Sequence, residues 1–193
     1  MAMVIGVYCA SSNKVDDAYI DEAERLGMRL AQRGDTLVYG GGQVGLMGVV
    51  ARTVHEYGGT VIGAIPHALK NREGIAYDVA DEMHVTDTMQ QRKAIIFTRA
   101  DAFVVLPGGF GTLEELFEVL TLRQLGYHDK PIAIVNTDGF YDPLIALFDH
   151  LFDKQTAHVR YRTLYHFARD VDDAFRYIDD AATAYDVAGT GTK

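Results

Sequence analysis

The 193-residue chain is 48% hydrophobic and 23% charged, the balance of a soluble globular domain with a sizeable buried core. Its formal net charge of −9 speaks against polymeric nucleic acid or an anionic membrane as partner, while leaving room for a small phosphorylated ligand held locally at one helix terminus. Cys9 is the sole cysteine, so no intrachain disulfide can form. With no basic-then-apolar leader and no apolar run near the roughly 18 residues of a membrane helix, a cytoplasmic location is expected.

Residues 3–8 read as a buried strand ending in the polar turn Cys9-Ala10-Ser11-Ser12. A helix follows over 16–32, with Ala23, Leu26 and Leu30 at helical spacing and Gly34 as its stop. A short strand, 36–39, is broken by Gly40-Gly41-Gly42-Gln43-Val44-Gly45-Leu46-Met47-Gly48, and another helix runs on to 57, where Gly58-Gly59 stop it. Residues 60–65 are a third strand, closed by Pro66. The pattern weakens over 67–81, read as a surface excursion containing Arg72-Glu73. A fourth strand, 82–86, leads to a helix capped by Thr86 or Asp87 and carrying Met89, Arg92, Lys93 and Ile96.

The apolar run 102–106 is the fifth strand, and it feeds Pro107-Gly108-Gly109-Phe110-Gly111-Thr112-Leu113-Glu114-Glu115. Leu113, Leu116, Phe117 and Leu120 then mark a helix to about residue 126. A sixth strand (131–135), a helix (141–154), a last strand (163–167) and a final helix (171–184) complete a single domain over 1–185, with 186–193 a flexible tail. Strand and helix alternate throughout, and several strands are continuously apolar. That pattern calls for a mostly parallel sheet of six or seven strands with helices on both faces, a doubly wound, Rossmann-like α/β fold.

In such a sheet ligands bind beyond the carboxyl ends of the strands. The turns 9–12, 40–45 and 107–112 all fall there, so Ser12, Gly41 and Gly42 join the glycine loop of 107–112 as expected binding residues. Strand, glycine turn and helix together aim backbone N–H groups and a helix N-terminus at an anion, and Gly108, Gly109 and Gly111 let that anion touch the main chain. The competing reading is a tight turn with a capping box, because Thr112 and Glu115 have T-x-x-E spacing. Three glycines and a proline in five residues exceed what a cap needs, which favours phosphate.

Residues 40–45 also match G-x-G-x-x-G, but the acid expected at the end of the next strand is missing, and the second strand rather than the first feeds the loop. A dinucleotide such as NAD is therefore not expected, nor any other cofactor. The seven histidines form no H-E-x-x-H and no Cys/His cluster, so no metal is expected either. G-x-S-x-G is absent. Arg92 lies between Met89 and Ile96 on a partly apolar helix face, where an arginine should reach a carboxylate or phosphate.

Gly40-Gly41-Gly42 with Gly45-Leu46-Met47-Gly48, Met89-x-x-Arg92-Lys93, and Pro107-Gly108-Gly109-x-Gly111-Thr112-x-x-Glu115 together resemble the LOG (Lonely Guy) family. Its members are cytokinin riboside 5′-monophosphate phosphoribohydrolases, many of them labelled lysine decarboxylases. The resemblance runs over about 4–167 and includes Pro66 followed by Arg72-Glu73. It implies a homodimer that hydrolyses the N-glycosidic bond of an adenine-type nucleoside monophosphate. It also implies Arg92 and Glu115 as the catalytic pair, 108–112 (Phe110 included) as the phosphate loop, and Lys93, Glu73 and Thr121 as further substrate contacts. A decarboxylase would need a Schiff-base lysine, and nothing in the chain marks one. The alternative is a non-catalytic nucleotide- or cofactor-binding protein resembling molybdenum cofactor carriers, which would have no need of both Arg92 and Glu115.

Overall fold

The computed structural model describes residues 2–71 and 75–189, with side chains through Thr183. Seven parallel strands form one sheet: β1 (Val4–Tyr8), β2 (Thr36–Tyr39), β3 (Thr60–Pro66), β4 (Glu82–Thr86), β5 (Ala102–Val105), β6 (Ile132–Val135) and β7 (His166–Ala168), in the order β4-β3-β2-β1-β5-β6-β7. The chain winds outward from β1 to β4, then returns to the other side of β1 with β5. That reversal is the switch point of a doubly wound fold, and the ends of β1 and β5 open a crevice there.

Helices α1 (Asp17–Arg33), α2 (Gly45–Glu56), α3 (His67–Lys70), α4 (Met89–Arg99), α5 (Phe110–Gln124), α6 (Asp142–Asp153) and α7 (Val171–Gly189) make the connections. Alternation along the strands sends Ile5, Val7, Leu37, Tyr39, Ala102 and Val104 to one face, against Leu26 and Leu30 of α1, Val50 and Val54 of α2 and Phe175 of α7. Tyr8, Val38, Phe103, Val105, Ile132 and Ile134 pack the other face against Ile96 of α4, Leu116 and Val119 of α5 and Phe148 of α6. Both faces are covered, as the continuously apolar strands require. Among the described residues no helix is long and apolar enough to cross a membrane.

Several boundaries differ from the sequence reading, each for a local reason. Asp16 is the cap of α1 rather than its first residue, and Gly34 ends that helix in the left-handed conformation with φ 71°. Pro66 lies inside β3: pairing with β2 stops at Tyr39↔Gly63 while pairing with β4 continues to Pro66↔Thr86, so the missing proline N–H costs no ladder bond to β2. The expected surface excursion contains the one-turn α3, and its Arg72 and Glu73 lie outside the described residues. Thr88, not Thr86 or Asp87, caps α4: its hydroxyl accepts from Gln91 N–H at 3.2 Å and the Gln91 side chain returns to the Thr88 N–H. A 3₁₀ turn over Val159–Leu164 displaces the last strand to His166–Ala168, and α7 runs to Gly189 rather than 184.

The most informative difference is at α5. Its cap is Gly109 and its first residue Phe110, so Thr112 and Glu115 sit inside the helix and form no capping box. Glu115 is buried and turned to another partner.

Candidate active site

The ends of β1, β2 and β5 and the start of α5 surround a cleft of about 470 Å³. It is lined by Ser11, Ser12, Gly109, Phe110, Gly111, Thr112 and Glu114, with the buried Arg92 and Glu115 at its floor and apolar side chains including Met47, Ile65, Ile75 and Met89. The first N–H groups of an α-helix have no intrahelical acceptor. In α5 they open on the cleft, and no acidic side chain occupies the first turn to neutralise them. Gly108 is required by packing, since a Cβ there would lie 2.6 Å from Thr112 Cβ, whereas a Cβ at Gly109 would meet nothing within 4 Å. Space at Gly109 is thus available to a ligand rather than consumed by the protein.

The second glycine turn is built differently. Three of its N–H groups are already used: Gln43 N–H donates to Ile75 O at 2.8 Å, Gly45 N–H to Asn13 Oδ1 at 2.8 Å, and Met47 N–H to Ala10 O at 3.4 Å. The G-x-G-x-x-G match therefore marks a turn tied to neighbouring loops, and Gly40 has its own reason to be glycine. A Cβ there would lie 2.9 Å from Arg92 Cζ and overlap its Nη2. Gly40 is the gap through which α4 delivers its guanidinium.

Arg92 and Glu115 meet at the cleft floor, both buried, with Arg92 Nη1 donating to Glu115 Oε1 at 2.7 Å. Arg92 Nε donates to the carbonyl of Ala64 at 3.2 Å, which lies in β3 beyond the end of its pairing with β2. Burial raises the Glu115 carboxyl above the usual 4.5, and the adjacent Arg92 charge works against that rise without cancelling it. Cys9 also lines the cleft, but burial and the nearby Glu115 charge push its thiol up, so it is protonated and a poor nucleophile. Among the described residues no group of three or more His, Cys, Asp or Glu side chains is placed to hold a metal ion.

Of the residues singled out in the sequence, Ser12, Gly42, Arg92, Gly109, Phe110, Gly111, Thr112 and Glu115 come together in this cleft. Gly108 lies just behind it, in a smaller hollow with Tyr19 and Phe140, and Gly41 packs against Ala64 and Ile65. Lys93 does not line it: its ammonium bonds Glu114 at 2.5 Å and Glu118 at 3.2 Å, the Glu114 bond holding it above its ordinary pKa. Thr121 is exposed and lines a separate apolar groove with Phe117, Leu120 and Phe148. Glu73 falls outside the described residues. Sequence reasoning missed the Ala64 carbonyl, which carries no side-chain signal, and the role of Gly40, whose place directly after a strand was the available hint.

The sequence profile of a family described as "Possible lysine decarboxylase" matches residues 47–178. The cytokinin riboside 5′-monophosphate phosphoribohydrolase LOG of Oryza sativa subsp. japonica is 49% identical over 145 residues, 75% of this chain and 60% of that protein, so the chain spans about three fifths of this relative's length. The cytokinin riboside 5′-monophosphate phosphoribohydrolase LOG2 of Arabidopsis thaliana is 47% identical over 150 residues, 78% of this chain and 70% of that protein. Among solved structures, the molybdenum cofactor carrier protein of Chlamydomonas reinhardtii superposes with a TM-score of 0.71 at 23% identity, covering 95% of this chain and 99% of that one. The corresponding binding protein of Rippkaea orientalis gives 0.71 at 23% identity, over 93% and 97%. At that identity the carriers attest the fold alone. The profile match and the identity to the plant enzymes place the chain in a family, and it belongs to the LOG family of cytokinin riboside 5′-monophosphate phosphoribohydrolases.

Proposed function

We propose that the protein hydrolyses the N-glycosidic bond of an adenine-type nucleoside 5′-monophosphate, AMP or a cytokinin riboside monophosphate, and releases free base and ribose 5-phosphate. The observation that carries this reading is the buried Arg92–Glu115 pair on the floor of a cleft whose other end is the open N-terminus of α5. The 5′-phosphate sits on the N–H groups of 109–112, and this remote binding energy orients the ribose over the pair. Breaking the ribosyl C–N bond builds positive charge on the sugar, as in other glycoside hydrolyses. Glu115, next to that charge, stabilises it and takes a proton from the attacking water. Arg92 fixes the substrate and favours electron build-up on the departing base.

A carrier of the same fold needs neither residue, which is what sets this reading above the non-catalytic alternative. The protein acts in the cytoplasm as a homodimer. The dimer is supported by Thr121, which the family resemblance implies as a substrate contact and which lines a separate groove outside its own chain's cleft. A second copy packed on the face of Phe117 and Leu125, 37% and 63% exposed, covers this apolar surface and brings Thr121 toward the partner.

The test is incubation of pure protein with AMP, isopentenyladenosine monophosphate and adenosine, reading free base by chromatography. Base is expected from the monophosphates and little from adenosine, which lacks the phosphate handle. Equal turnover of adenosine and AMP, or no base from any of the three, would overturn the proposal.

A further inference from the structure

One part of the cleft wall, at Gly42 and Ile75, is held by a line of side chains that the proposed reaction does not use. Ile75 lines the cleft without belonging to any strand of the main sheet. It is pinned to the glycine turn after β2: Ile75 O accepts from Gln43 N–H at 2.8 Å, Ala76 bridges Gly42, and Tyr77 N–H donates to Gly41 O at 2.9 Å. Backbone bonds alone do not fix how deep this segment sits, because both partners are loops.

Tyr77 supplies an anchor. Its side chain is buried in the core on the α2 face of the sheet, and its hydroxyl lies 2.8 Å from His55 Nδ1. His55 Nε2 is in turn 2.9 Å from Asp81 Oδ2, and the same oxygen accepts the Val61 N–H of β3 at 2.8 Å. A carboxylate can only accept, so His55 carries its proton on Nε2 and offers Nδ1 to the Tyr77 hydroxyl. The Val61 N–H and then His55 hold the Asp81 carboxyl below its ordinary value, consistent with an ionised acceptor. The line therefore runs β3, Asp81, His55 on α2, Tyr77, cleft wall.

We propose that Asp81, His55 and Tyr77 form a strut that positions the Gly42–Ile75 wall for nucleotide binding, an inference that rests on reading the cleft as the nucleotide site. These are positioning residues and touch no reacting atom. Arg92 and Glu115 are held independently, by each other and by the Ala64 carbonyl. Cutting the strut should therefore loosen binding while leaving the chemical step nearly intact.

The experiment is steady-state AMP hydrolysis with AMP affinity by calorimetry, on wild type, Tyr77→Phe, His55→Ala and the double variant, well below each melting temperature. Tyr77→Phe keeps the packed ring and removes only the hydroxyl. Its KM and Kd are expected to rise about 3–10-fold with kcat within twofold, the scale of one lost hydrogen bond. His55→Ala should do at least as much, and adding Tyr77→Phe to it should change little, because both cut one line. Unchanged KM and Kd in Tyr77→Phe, a fall in kcat alone, or additive effects would overturn the strut. If His55→Ala does not fold, Tyr77→Phe alone decides. If wild type binds AMP without cleaving it, the proposed activity fails while the affinities still test the strut.

Discussion

Glu115 carries the chemistry in this account, and its environment makes a definite demand. Burial raises its pKa above 4.5 and Arg92 opposes the rise. Only the ionised carboxylate can stabilise a sugar cation or accept a proton, so kcat/KM should climb with pH through the Glu115 pKa of the free enzyme and the acid limb should lie above pH 4.5. The check is a kcat/KM profile with AMP binding measured over the same range, which separates out the titration of the substrate phosphate; a limb at or below 4.5 contradicts the assignment. Arg92→Lys should also be severe, on the order of 100-fold in kcat, because an ammonium cannot donate to Glu115 and to the Ala64 carbonyl in the planar geometry of the guanidinium. Residue types and spacing made Arg92 and Glu115 legible in the sequence as candidates. Their contact was not, since 23 positions separate them and only the juxtaposition of α4 and α5 brings them together.

The glycine loop and the start of α5 form the element that lines the cleft at the end of β5. Gly109→Ala should leave the fold and melting temperature essentially unchanged, because a Cβ there meets nothing, yet weaken AMP binding by about tenfold by obstructing the phosphate. Gly108→Ala should cost stability, about 1–3 kcal/mol, because its Cβ runs into Thr112. Calorimetry and thermal melts on the two variants separate a glycine kept for the ligand from one kept for the fold; a destabilised Gly109→Ala with normal affinity would reverse the assignment. At this scale the strands and their order of appearance could be read from apolar runs and glycine breaks. Caps could not. Thr86 and Asp87 offer the same cap chemistry as Thr88, and the T-x-x-E spacing of Thr112 and Glu115 imitates a capping box although both residues lie within the helix, because sequence spacing does not say where a glycine-led helix begins.

At the scale of the whole molecule, a parallel sheet was legible from alternating strand and helix, and its switch point puts three turns from distant parts of the chain around one cleft. What the sequence could not give was the division of labour between the two glycine turns, which depends on Asn13, Ala10 and Ile75 already occupying three N–H groups of the second. With those groups taken, NAD should give a smaller thermal shift than AMP at equal concentration, and a larger one would favour dinucleotide chemistry. Light scattering at micromolar concentration should report twice the 21.3 kDa of the chain, and a monomer would remove the dimer from the account. The measurement that bears most directly on the central claim sets Glu115→Gln beside wild type, with base release from AMP and AMP affinity read on the same preparations. The amide keeps the shape and an acceptor for Arg92, so folding and most of the affinity should survive while base release falls by orders of magnitude. A Glu115→Gln protein that releases base at near wild-type rate would contradict the account.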